Sequence, residues 1–129
     1  MLVTKPEAFE FTEAPPLPTE GYVAEVPAGL TSSEELLEAL YRALELPGYF
    51  GFNWNALSDC LRDFHWLPQR CIVLWHAGLP AIPSAELRIY LDVLAEAVAS
   101  WRPEEEHALR VIFPLAARSE VFRVWSPSH

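Results

Sequence analysis

The run Cys71-Ile72-Val73-Leu74-Trp75 is the strongest single constraint on how this chain folds. It has strand length and no polar position to turn toward water, which describes a strand covered on both faces, as in a parallel sheet. Parallel neighbours require long crossover connections, and the flanking sequence supplies them. Upstream, Tyr22-Val23-Ala24-Glu25-Val26 is a short β-rich run stopped by Pro27 and Gly29. Downstream, Leu109-Arg110-Val111-Ile112-Phe113 is a third such run, ended by Pro114. Between the first two, Thr31-Ser32-Ser33-Glu34-Glu35 contains overlapping capping boxes, and Leu36, Leu37, Leu40, Tyr41 and Leu44 follow at helical spacing until Pro47-Gly48. Asn53 then predicts the N-cap of a short second helix. Trp54, Leu57, Cys60, Leu61 and Phe64 fall on one side of it, with Asn55, Ser58, Asp59 and Arg62 opposite. Ser84 is the expected cap of a long third helix reaching about Trp101, with Arg88, Asp92 and Glu96 as its only water-facing stripe. Glu120 to Trp125 reads as a short terminal strand. The expectation is an α/β fold: a small three-stranded parallel sheet packed with three or four helices and joined by right-handed crossovers.

At 129 residues the chain has the length of one domain, enough to bury roughly 65–70% of its unfolded surface. Residues 1–20 hold Pro6, Pro15, Pro16 and Pro18, and set Glu7, Glu10, Glu13 and Glu20 against Lys5. They read as a Pro-rich acidic N-terminal extension, which Phe9 and Phe11 can pin to the core. Residues 21–129 form the expected single domain with a short C-terminal tail. The formal net charge of −9 argues against direct nucleic-acid binding, which needs a basic stripe, and against docking on an anionic membrane surface. It favours a basic protein partner. Cys60 and Cys71 are too few for a disulfide scaffold, and no signal-like or membrane-length apolar run is present. A cytoplasmic location is expected.

Catalytic constellations are sparse. Neither HExxH nor paired CxxC spacing occurs, so no metal or other cofactor is expected. No GxSxG elbow or phosphate-cradling glycine run is present. Cys60 sits on the apolar side of its helix, where a thiol behaves as a small hydrophobe. His65, His76, His107 and His129 read as surface or hydrogen-bonded polar groups.

What remains is Leu46-Pro47-Gly48-Tyr49-Phe50-Gly51-Phe52-Asn53-Trp54-Asn55-Ala56-Leu57-Ser58-Asp59-Cys60-Leu61. This stretch resembles the barstar family, small intracellular inhibitors of secreted ribonucleases. The family pattern here is Leu-Pro, one residue, an aromatic pair, Gly, one residue, Asn-Leu, then Asp-Ala-Leu-Trp-Asp-Cys-Leu. The likeness is ungapped from about Gly29 through Phe64, continues more weakly through the next two strands, and stops short of residues 1–20 and of the tail after Pro114. It implies a barstar-like fold in which Asp59 enters a nuclease active site in place of a substrate phosphate, Glu96 adds a second acidic contact and Tyr49 is a contact aromatic. Three positions depart from the family: Asn55 replaces an Asp, Ser58 replaces a Trp and Phe52 replaces a Glu. The first two remove a charge and an aromatic from the patch, and the third moves apolar surface into the loop.

The residues agree with that implication. Asn55 and Asp59 lie four apart on the polar side of a helix, and Tyr49 and Phe50 precede its start, so acid and aromatics converge as at a protein interface. Phe50, lacking a polar tip, is the better candidate to close the core beneath the loop. The expected function is stoichiometric inhibition of a basic ribonuclease or nuclease toxin, without catalysis, through a partner-binding set of Tyr49, Phe52, Asn55, Ser58, Asp59 and Glu96. Two rivals stay open: an acidic adaptor of the same fold that binds another basic protein, and a hydrolase using Asp59 and Glu96 as a carboxylate pair. A concave carboxylate-lined pocket favours the enzyme, and a convex acidic face favours the binder.

Overall fold

The computed structural model describes residues 8–17, 19 and 21–125. In chain order the elements are β1 (Phe9–Thr12), β2 (Tyr22–Val26), α1 (Ser33–Ala43), α2 (Trp54–Leu61), β3 (Cys71–His76), α3 (Ser84–Ser100), β4 (Ala108–Pro114), a 3-10 turn (Leu115–Ala117) and α4 (Arg118–Val124). The strands form one sheet in the order β1-β4-β3-β2 with every pairing parallel. The fold is thus α/β and barstar-like as expected, with one strand more than the three read from the sequence.

That extra strand comes from the segment read as an extension. Phe9 and Phe11 lie opposite Val111 and Phe113 on the helix-covered face, while Glu10 and Thr12 take the other. The alternation is that of a strand, but prolines on both sides obscure it in the sequence. Arg110 donates to both carboxylate oxygens of Glu10, at 2.7 and 2.8 Å, fixing the register.

The core follows the period-two pattern. Ala24, Val26, Ile72, Leu74, Leu109, Val111 and Phe113 turn toward the helices, and Val73, Trp75 and Ile112 form a separate buried cluster on the opposite face. Progress from β2 to β3 to β4 carries the helices over the first face.

Three features of the helices differ from expectation. Glu120 to Trp125 is helical, because Val121, Val124 and Trp125 all pack on the core at helical spacing. Ser84 opens α3 without capping it; Pro83 holds the cap position with no side-chain bond, and Glu86 instead accepts from the Ser33 hydroxyl of α1. On α3, Arg88 and Glu96 are exposed as read, but Ile89 is exposed too, and Asp92 is half-buried, accepting from Trp125 Nε1 at 2.7 Å. The α1 cap is as expected: Ser32 accepts from the Glu35 N–H at 3.1 Å, and Glu35 reaches back to the N–H and hydroxyl of Thr31.

Candidate functional site

The second helix is started by one side chain. Asn53 Oδ1 accepts from the Ala56 N–H at 2.8 Å, while its Nδ2 donates to Gly51 O at 3.2 Å. A Cβ on Gly51 would stand 3.1 Å from that same nitrogen, so glycine leaves room for the cap. Phe52, between them, has φ 53°, a left-handed conformation that a bulky residue adopts only when its surroundings compensate. The compensation is aromatic: its ring lies 5.1 Å from Tyr41 and 4.9 Å from Phe50. Phe50 is 5% exposed and closes the core, as its lack of a polar tip suggested. Phe52 is 45% exposed and Tyr49 70%, so the loop presents two aromatic edges beside the helix start.

From that cap, α2 buries Leu57, Cys60 and Leu61 and turns Asn55 and Asp59 to solvent, with Ser58 half-buried. The Asp59 side chain is 79% exposed. Arg62 approaches it at 3.3 Å and also donates to Ser58 O at 3.2 Å. This i,i+3 pair was readable from spacing alone and offsets part of the Asp59 charge. Asp63 follows one residue further on, accepting from the His65 backbone N–H at 3.1 Å and lying 2.9 Å from its ring Nδ1. Neighbouring atoms that displace water, then Cys60 and Asp63, raise the pKa of the Tyr49 hydroxyl, so that tip stays neutral and able to donate. Burial, then Asp63 and Asp59, pushes the Cys60 thiol up, which keeps it protonated and inert.

α2 packs against α3. Trp54 meets Tyr90 at 5.9 Å, and Trp101 Nε1 donates to Leu61 O at 3.0 Å, so the two helices run in the same direction. That alignment sets Asp59 at about the level of the α3 turn carrying Glu96, which is exposed. Tyr49, Phe52, Asn55 and Asp59 therefore share the loop and outward side of α2, and Glu96 stands on the neighbouring helix.

A family model described as Barstar (barnase inhibitor) matches residues 26–114. The chain belongs to the barstar family. The match begins at the end of β2 and closes with β4, so β1 and α4 lie outside it. No curated protein matches the chain closely enough to name a relative. Within the barstar framework the α2 face is the place where acid, aromatics and exposure coincide. Two grooves on other parts of the described surface are lined by other residues: one of about 550 Å³ between α1 and β2, and one of about 370 Å³ beside Thr12 and Leu115. Among the described residues no three His, Cys, Asp or Glu side chains gather as a metal set, and no helix is long and apolar enough to cross a membrane.

Proposed function

We propose that this barstar-family chain is a stoichiometric inhibitor of a basic ribonuclease or nuclease toxin, acting in the cytoplasm by inserting the α2 face into the enzyme's cationic cleft. The observation that carries this reading is Asp59, a solvent-exposed carboxylate on a capped helix whose entry loop carries the exposed rings of Tyr49 and Phe52. A carboxylate so placed can substitute for a substrate phosphate among cationic side chains, and rigid aromatics around it exclude water from the contact. The net charge of −9 steers a basic partner into encounter. Occlusion of the cleft needs no nucleophile, metal or acid-base pair on the inhibitor. The hydrolase reading calls for a carboxylate pair enclosed in a cleft, and the Asp59 side chain is instead 79% exposed on the outward side of its helix.

The adaptor reading draws on one specific observation: with Asn55, Ser58 and Arg62 around Asp59, this face carries less negative charge than the family pattern implies. Titrating a secreted basic ribonuclease from the native host separates the two. Asp59→Ala is expected to weaken inhibition by several kcal/mol, a magnitude borrowed from barstar itself, the established hot-spot example. Glu38→Ala, which removes another helical carboxylate, is expected to leave inhibition unchanged. Equal potency of the two variants, or no one-to-one inhibition by the parent chain, refutes the inhibitor reading.

A further inference from the structure

β2 stands at one end of the sheet order and, among the described residues, pairs only with β3. Its outward backbone N–H and C=O groups therefore form an open ladder. α1 packs over this strand, and between helix and strand edge runs the groove of about 550 Å³. Leu30 and Ala39 give the groove an apolar lining, and Glu25, Glu35 and Glu38 stand around it with Arg42. Arg42 is already committed, donating through Nε and Nη2 to Glu38 Oε2 at 3.1 and 2.7 Å. Glu35 thus remains as the net charge on the helix side of the groove, and Glu25, in register with Trp75, adds a second carboxylate on the other face of the edge strand. Hydrogen bonds from Thr31, at 2.8 and 3.1 Å, lower the pKa of Glu35 and keep it ionised.

We propose that this groove docks an extended segment of a basic protein, which adds to the open edge of β2 as a further strand and sets its cationic side chains against the acidic rim. Charge decides the occupant. A second copy of this chain pairing through β2 would set two acidic edges and two bodies of charge −9 side by side, an unfavourable arrangement. A basic segment reverses the sign of both terms. Pro27 limits the available ladder to the length of β2 itself, which makes the contact short and dependent on its side chains for specificity. The surface shares no residue with the α2 face, so the proposal stands apart from the inhibitor reading.

The test is a titration of the full chain, isotopically labelled, with a ten-residue peptide alternating Lys and Val. Amide shifts are expected to concentrate on residues 22–26 and on the α1 positions facing the groove, and to be unaffected by Asp59→Ala. Glu25→Lys, at an exposed position, is expected to weaken binding about tenfold, as does Ala39→Gln, which fills the groove without adding charge. A peptide of the same charge with Pro replacing two of the Val residues is expected to bind at least tenfold more weakly, because strand addition needs its N–H groups. An alternating Glu-Val peptide is expected not to bind. Shifts centred on α2, equal binding of the Pro-containing peptide, or a dimer in sedimentation that Glu25→Lys alters would each overturn the proposal.

Discussion

His76 is fully enclosed, and both of its ring nitrogens are engaged. Nδ1 lies 3.0 Å from Ile112 O, and since a carbonyl only accepts, Nδ1 carries the proton. Nε2 then accepts from the Tyr90 hydroxyl at 2.6 Å, and the ring stacks on Phe113 at 4.1 Å. A second proton on Nε2 would require the Tyr90 hydroxyl to turn and accept; burial raises that hydroxyl's own pKa well above the usual range for tyrosine. Burial pushes the His76 pKa down from 6.5 to about 4, against a smaller opposing effect of the Ile112 bond. The unfolded chain takes up this proton before the folded one does. The contribution of His76 to stability is therefore expected to be whole above about pH 6.5 and to decline as pH falls from there to about 4, by about 3 kcal/mol. Urea unfolding at pH 7.5, 5.5 and 4.5 should show that decline in the parent chain. The double variant His76→Phe with Tyr90→Phe, which removes both polar partners together, should flatten it over the same interval.

Each helix begins or ends on a few named contacts, and those contacts decide which elements the sequence revealed. The caps of α1 and α2 were legible because Ser32 with Glu35, and Asn53 alone, are local devices complete within one turn. The central strands were legible because their apolar runs have nowhere else to go. β1 was hidden by its prolines, and α4 by residues that suit strand and helix alike until the Val121 side of the helix meets the core. The candidate face was legible as a pattern, since Asn55 and Asp59 needed only helical spacing. The Tyr41, Phe50 and Phe52 cluster was not, because it depends on how the loop folds back over α1. Two substitutions probe this scale. Asn53→Ala should cost about 1 kcal/mol in urea unfolding by leaving the Ala56 N–H without its acceptor, and should weaken inhibition by fraying the turn that carries Asn55. Glu45, at φ 52°, ends α1 with a Leu46 N–H to Tyr41 O bond of 3.0 Å, the arrangement in which glycine is favoured. Glu45→Gly should raise stability by about 0.5–1 kcal/mol, the relief of left-handed strain exceeding the added freedom of the unfolded chain. An unchanged or lowered urea midpoint would refute it.

At the scale of the molecule, the family match from 26 to 114 covers a sheet of three strands less most of its first, yet the sheet has four strands, and the added one sits next to β4. Whether that strand belongs to the cooperative unit or merely lies against it turns on Phe9. Phe9 is 2% exposed, with its ring 5.6 Å from Phe113 on β4 and 5.0 Å from Trp125 just after α4. It therefore joins the first described strand to the last described residue, and both contacts are edge-on, the geometry aromatic pairs prefer. Trp125 is held in turn by Asp92 on α3, so the N-terminal strand, the C-terminal helix and the long central helix close on one another around this ring. A residue in a peripheral extension would change stability by less than about 0.5 kcal/mol on truncation, as surface substitutions do. Phe9→Ala should instead cost about 3 kcal/mol, the usual result of emptying a large aromatic site in a packed core. Urea unfolding followed separately by far-ultraviolet circular dichroism and by tryptophan fluorescence decides the point. If β1 is integral, the two probes move together to a lower midpoint with an unchanged slope. A midpoint within error of the parent chain would make residues 9–12 an appendage and confine the folding unit to the remaining strands and helices.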